Sequence, residues 1–263
     1  MARVAWVTGA SRGIGRGVAV ALGAAGWTVW VTARSSGAGS VTSHLGGTVE
    51  ETAAAVDAAG GRGIAAVCDH RDDDAVRSVV SRLAPSGLDL LVNNAWGGYE
   101  RLVVRGGHEE WVAPFWEQPV ELWDRMFGGG VRAHYVATAL CAPLLRRRRG
   151  LVVTVSMEVG AAHDPGHNVP YNVAKAADER LVEATAAQLA DAGVASVGLY
   201  PGLVRTEGVL QAAEFFDLSE SQSPEGVGRV VAALADDASV LELTGRSWRV
   251  EDLSRRYGVD VAR

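Results

Sequence analysis

Short, almost continuously apolar runs rich in β-branched residues recur along the chain, each followed by a longer alanine-rich amphipathic stretch. That alternation restricts the possible folds more than any other feature of the sequence. The apolar runs are Val4–Thr8, Thr28–Thr32, Ile64–Val67, Leu88–Val92, Leu151–Val155, Val194–Leu199 and a short one near Val240–Leu243. Runs apolar at nearly every position predict strands buried on both faces, as in a parallel sheet. The intervening helical stretches are Gly13–Ala25, Val49–Ala59, Asp73–Leu83, Trp123–Leu145, Val173–Ala192 and Pro224–Leu234. The repeat predicts an α/β fold, a Rossmann-type doubly wound parallel sheet of about seven strands with helices on both faces. No internal repeat or linker composition divides the 263 residues, so 1–263 read as one domain. The glycine- and serine-rich segment 35–47 reads as a surface loop.

A net charge of −6 without a basic domain argues against nucleic acid as a partner. The one basic run, Arg146 to Arg149, closes an apolar helical stretch just before Gly150, where cations meet the negative end of a helix dipole. Cys68 and Cys141 form neither a disulfide framework nor a metal-ligand spacing, so no metal is expected and a reducing cytoplasm is. No apolar run reaches the ~18 residues of a membrane span, and the N-terminus enters a strand pattern without a signal peptide.

The first strand runs directly into Thr8-Gly9-Ala10-Ser11-Arg12-Gly13-Ile14-Gly15, which opens the first helix. Glycines there permit a tight turn and let backbone N–H groups approach a pyrophosphate at a helix N-terminus. The spacing Gly-x-x-x-Gly-x-Gly differs from the commoner dinucleotide fingerprint, but its strand–loop–helix position makes it strong evidence for a dinucleotide site. At the end of the second strand, a carboxylate would receive an adenosine ribose 2′-hydroxyl and a cation would meet a 2′-phosphate. Here Arg34 is followed by Ser35 and Ser36, and Arg12 lies in the glycine loop on the same side. Two cations and no acid favour NADP(H) over NAD(H), the plain alternative being a solvated Arg34.

The chain has one lysine, Lys175, among 25 lysines and arginines, four residues after Tyr171 in Tyr171-Asn172-Val173-Ala174-Lys175. Residues i and i+4 share a helix face. A compact ammonium beside a phenol favours the phenolate and would lower its pKa from ~10, and it could reach a sugar hydroxyl where an arginine fork would not serve.

Together these residues resemble the short-chain dehydrogenase/reductase family over essentially the whole chain, most of all its branch of dehydrogenase/reductase member-1-like proteins. The resemblance extends to Asp69 after the third strand, Asn93-Asn94-Ala95 after the fourth, and Pro201-Gly202-Leu203-Val204-Arg205-Thr206 after the sixth. It implies that Asp69 contacts adenine, that Asn94 and Ala95 lie beside the cofactor, and that Pro201, Gly202, Val204 and Thr206 hold the nicotinamide amide and phosphates. It further implies hydride transfer between nicotinamide and substrate, with Tyr171 exchanging a proton and Lys175 tuning it and binding ribose. It also implies a homodimer or homotetramer.

Two positions depart from that pattern. Counted along the fifth strand from Gly150, the family's serine falls on Met157; counted back from Tyr171, it falls on Glu158. The neighbouring Ser156 serves only if the strand end is irregular, because strand neighbours face opposite ways. The family's helix asparagine becomes Gly130 within Gly128-Gly129-Gly130. One lost oxyanion donor costs on the order of 10²–10³ in rate. An iminium or hemiaminal carbon needs no such donor, and Glu158 could stabilise its charge. Reduction of a carbonyl, with Ser156 or water filling the gap, is the other reading. A cofactor-binding sensor or scaffold and a non-redox dehydratase are alternatives of other classes. Four of the eight tryptophans, Trp96, Trp111, Trp116 and Trp123, fall within 96–123 with Tyr99 and Phe115. This segment is expected to wall a site for a bulky small molecule, with Trp123 in the core. His163 is a further candidate for substrate contact, and residues 207–222 are expected to form a substrate lid.

Overall fold

The computed structural model describes residues 3–37, 45–99, 107–159 and 168–262. Seven strands, β1 (Val4–Thr8), β2 (Thr28–Ala33), β3 (Arg62–Val67), β4 (Leu90–Asn93), β5 (Leu151–Val155), β6 (Ala195–Tyr200) and β7 (Ser247–Arg249), form one sheet in the order β3-β2-β1-β4-β5-β6-β7. Every pairing is parallel. The predicted doubly wound sheet is therefore what forms.

Alternation along the strands separates two cores. Ala5 and Val7 of β1 face one side with Val18 and Leu22 of α1 (Gly13–Ala24) and Val56 of α2 (Val49–Ala58). Val4 and Trp6 face the other with Val76 and Leu83 of α3 (Asp73–Leu83). Side chains cap two of these helices: Thr48 and Glu51 form a reciprocal capping box on α2, and Asp72 caps α3.

Among the described residues after β4 are two short helices, α4 (Gly107–Val112) and α5 (Glu121–Met126), then a π turn at Phe127–Val131 and α6 (Arg132–Arg148). The single helix predicted over 123–145 is thus interrupted where the three glycines sit, since glycine gives a helix little conformational restraint. Arg149 ends α6 in the left-handed region, with Arg146, Arg147 and Arg148 in the last turn, as the dipole argument requires. The remaining helices are α7 (Val169–Leu189), α8 (Glu207–Gln211), α9 (Pro224–Asp236) and α10 (Val250–Tyr257).

The strand expected near Val240–Leu243 is a 3-10 turn instead, and β7 follows it. A four-residue apolar run cannot distinguish strand from helix by periodicity. Among the described residues, no helix is long and apolar enough to cross a membrane.

Candidate active site

The strand order reverses between β1 and β4, which opens a crevice at their carboxyl ends. The two ends are tied together there. The Thr8 hydroxyl donates to the Val92 carbonyl at 3.1 Å and accepts from the backbone N–H groups of Asn94 and Ala95 at 2.9 and 3.0 Å. The Asn94 amide donates back to the carbonyls of Thr8 and Gly9. This closeness requires glycine: a Cβ on Gly9, whose φ is +64°, would stand 2.7 Å from Ala95 Cα, and one on Gly15 would stand 2.4 Å from Asn94 Nδ2.

A cavity of about 550 Å³ runs from Gly9 and Arg12 to Trp96, Tyr99, Met157 and Tyr171. Of the residues assigned to the dinucleotide, all but Gly15, Lys175 and Pro201 line it. Arg12 donates to the Ser35 hydroxyl at 3.0 Å, joining the glycine loop to the end of β2. The Asp69 carboxylate accepts from Arg71 at 3.1 and 2.7 Å, and this hydrogen bonding is the main cause holding its pKa below the ordinary carboxylate range. At the N-terminus of α1, the Gly13 N–H donates to the Glu207 carboxylate at 2.9 Å, showing that this helix end accepts an anionic oxygen.

Tyr171 and Lys175 lie in the first turns of α7, which Asn168 caps by accepting from the Tyr171 N–H at 3.1 Å. The Asn168 amide in turn donates to the Trp111 carbonyl and to Gln118, which fixes the loop over the site. Tyr171 is 9 % exposed, and its hydroxyl accepts from that of Tyr99 at 2.7 Å. Its ring meets those of Trp96 and Trp111 with centroids 5.7 and 5.3 Å away. Burial pushes the Tyr171 phenol up to about 12; the Tyr99 hydrogen bond opposes this and the Asp178 charge adds to it.

The lowering expected from Lys175 is therefore absent, for a geometric reason. The ammonium is 5.8 Å from the Tyr171 ring centroid, donates to the Val155 carbonyl at 3.3 Å, and lies 3.5 Å from Asp178 and 3.5 Å from the centre of the Trp96 ring. Burial drives its pKa down to about 8 against the pull of Asp178. Covered by Trp96, Lys175 does not line the cavity, so reach to a sugar hydroxyl is not part of this arrangement. Asp178 is wholly buried and engages His134 Nδ1 at 2.9 Å, while His134 Nε2 faces the Ala95 carbonyl at 2.8 Å. Sequence reading missed this chain of groups, although the i, i+3 spacing of Lys175 and Asp178 was available as a signal.

The two departures from the family pattern have physical counterparts. A Cβ on Gly130 would lie 2.5 Å from the Trp96 ring, so glycine on the helix makes room for the indole that covers Lys175. Gly130→Asn is expected to destabilise the fold by about 1–3 kcal/mol through overpacking. In a Trp96→Gly background the cost should shrink, with a coupling of about 0.5–3 kcal/mol. Denaturant unfolding of the two single variants and the double variant measures it, and additive costs would show the positions to be independent.

At the serine position, Met157 lines the cavity and belongs to the same apolar cluster as Tyr171 and Trp96. Ser156 turns the other way: its hydroxyl donates to the Lys175 carbonyl at 3.3 Å and does not line the cavity. Glu158 pairs with Arg249 at 2.7 Å beside a separate small cavity, so it does not supply the negative charge expected beside an iminium. His163 lies outside the described residues. Trp96, Tyr99 and Trp111 do surround Tyr171, whereas Phe115 and Trp116 are exposed and pack on each other. Trp123, expected in the core, is 40 % exposed and stacks on Phe127. In the segment expected to be a lid, Glu207, Val209, Ala212 and Phe216 line the cavity.

A glycine cradle at the switch point of a doubly wound sheet, continuous with a buried tyrosine, defines a dinucleotide-dependent oxidoreductase of the Rossmann class. Residues 3–214 match the family model of short chain dehydrogenases, and the chain belongs to the short-chain dehydrogenase/reductase family. It is 39 % identical to dehydrogenase/reductase SDR family member 1 of Mus musculus, covering 98 % of this chain and 82 % of the relative. It is 30 % identical to a 3-oxoacyl-(acyl-carrier-protein) reductase of Synechocystis, covering 95 % and 96 %. The crystal structure of a putative dehydrogenase from Xanthomonas campestris superposes with a TM-score of 0.82 at 26 % identity, covering 98 % of this chain and 90 % of that one.

Proposed function

We propose that this protein is an NADP(H)-dependent reductase of a carbonyl group on a bulky, flat small molecule, with Tyr171 as the proton donor. The observation that carries the reading is the Tyr171 hydroxyl, hydrogen-bonded and walled by aromatic rings, at one end of a cavity whose other end is the glycine cradle. The residues fit a dinucleotide: a side chain at Gly9 or Gly15 would close the cradle, and the Gly13 N–H already accommodates a carboxylate oxygen. When bound, a reduced nicotinamide supplies the hydride. Tyr171, with its pKa pushed up to about 12, keeps its proton at neutral pH and can deliver it to a developing alkoxide. Aromatic rings bind the substrate's apolar body and exclude water.

Preference for the phosphorylated cofactor rests on Arg12 and Arg34 lining the cavity beside Ser35, and on the commitment of Asp69, a carboxylate on the same wall, to Arg71. The test is steady-state turnover of 2-naphthaldehyde with NADPH and with NADH. NADPH should be preferred, and Arg34→Asp should shift the preference toward NADH by roughly 10- to 100-fold, the worth of one hydrogen bond to a charged group. Equal use of both cofactors by the wild type would overturn the assignment.

The second reading, reduction of an iminium or hemiaminal carbon, is favoured by Met157, which puts a thioether where the family has a hydroxyl donor. Its other support is withdrawn by the Glu158–Arg249 ion pair.

A further inference from the structure

Two phenol oxygens 2.7 Å apart share one cavity, and they come from different parts of the chain: Tyr171 from α7 and Tyr99 from the segment after β4. Such a pair holds two O–H hydrogens, and one hydroxyl uses its hydrogen on the other. The second hydrogen has no acceptor within the pair and is available to a third oxygen. An entering carbonyl oxygen beside both phenols can accept from each, because each hydroxyl can rotate away from its neighbour. Tyr99 is 42 % exposed and Tyr171 only 9 %, so Tyr99 is the more accessible of the two. Both rings are fixed: Tyr99 packs on Trp96 and Trp111, and Tyr171 on the same two rings. Met157 lines the cavity without offering a hydrogen, and the Ser156 hydroxyl is committed to the Lys175 carbonyl.

We infer that Tyr99 is a catalytic residue, the second hydrogen-bond donor to the substrate oxygen, and that it takes over from another element the part for which no serine is available. The inference rests on the carbonyl-reductase reading above. In the step, the carbonyl carbon would gain a hydride whose departure leaves the nicotinamide oxidised. The C=O π pair moves onto oxygen, and that oxygen takes the Tyr171 proton. Tyr99 keeps its own proton and stabilises the oxygen while its charge develops. Water then restores the Tyr171 proton.

The test compares wild type, Tyr99→Phe and Tyr171→Phe with NADPH on two flat probes: 2-naphthaldehyde, which forms an oxyanion, and an N-methyl-3,4-dihydroisoquinolinium ion, which does not. Tyr99→Phe should lower kcat for the aldehyde by roughly 10²–10³, the loss for removing one such donor, with a much smaller loss on the iminium. A binding readout is independent of turnover: 4-nitrophenolate, an aromatic oxyanion followed by its absorbance, should bind Tyr99→Phe roughly 10- to 100-fold more weakly than wild type. Thermal unfolding confirms that the variant, which lacks one oxygen atom, is folded. Wild-type aldehyde turnover in Tyr99→Phe, or unchanged nitrophenolate affinity, would overturn the role of Tyr99. If Tyr171→Phe is then still inactive, the carbonyl reading survives without it. Failure of the wild type to reduce the aldehyde overturns that reading and the inference with it.

Discussion

Asp178→Ala is expected to cost the protein about 3–5 kcal/mol of folding stability, the usual consequence of removing one partner from a buried ion pair. The carboxylate is wholly buried and stands between two groups, the Lys175 ammonium at 3.5 Å and His134 at 2.9 Å. Burial alone would raise its pKa, but the charges and hydrogen bonds of His134 and Lys175 outweigh that and hold it below the ordinary carboxylate range. Its contribution is therefore present above the unfolded value of ~3.9 and is lost as pH falls through the folded value. Without it, Lys175 keeps, among the described residues, the Val155 carbonyl and the faces of Trp96 and, farther off, Tyr171. Urea unfolding at neutral pH measures the loss. The sign on the alkaline side is distinctive. Lys175 is already pushed down to about 8, below its unfolded value of ~10.4, so the unfolded chain binds more protons between those values and wild-type stability rises with pH there. In Asp178→Ala the amine should neutralise at still lower pH, and the deficit should narrow as pH rises. A second substitution, Lys175→Met, should recover part of the loss by removing the orphaned charge. A deficit independent of both pH and Lys175 would show that Asp178 acts through packing alone.

The fold was legible because its signals are local. Val4–Thr8 and Leu151–Val155 are runs of β-branched and apolar residues with polar or glycine neighbours, and both form strands over those limits. Strand β7 was not legible, because Ser247–Arg249 is only three residues long and has a single apolar side chain, Trp248. It is held by pairing with Gly198–Tyr200, which no periodicity reveals. The same division runs through the site. Gly9–Gly15 and Tyr171–Lys175 are contiguous motifs, and reading them located both ends of the cavity. The contacts around the site join distant residues: Tyr99 to Tyr171, His134 to Asp178, Glu158 to Arg249. Glu158 shows the cost of reasoning without them. A carboxylate at the end of β5 was a sensible partner for a substrate cation until an arginine from β7 claimed it. Lys175 shows the same in another form. Its presence was meaningful, but its effect on Tyr171 depends on Asp178 and Trp96, which divert the charge.

Tyr171→Phe is expected to lower turnover by roughly 10²–10⁴, the contribution of a positioned general acid, with little change in cofactor affinity. The pH profiles of the two reaction directions make the assignment sharper than the loss itself. Reduction needs the protonated phenol. With its pKa pushed up to about 12, Tyr171 remains protonated throughout the neutral range, so wild-type reduction should be level there and fall only toward strongly alkaline pH. Oxidation of the corresponding alcohol needs the phenolate, so its rate should climb by about tenfold per pH unit below that value. Lys175 should leave this line straight. Its charge is lost as pH rises through about 8, but the ammonium is engaged by Asp178 and Trp96 and stands 5.8 Å from the Tyr171 ring, so the climb should continue at the same slope through that point. Phenylalanine at 171 has no proton to exchange, and the alkaline climb should vanish together with the rate. A Tyr171→Phe variant that kept the alkaline climb would place the titrating group elsewhere and remove Tyr171 from the chemistry. A bend near 8 in the wild-type profile would show instead that the Lys175 charge does reach the phenol.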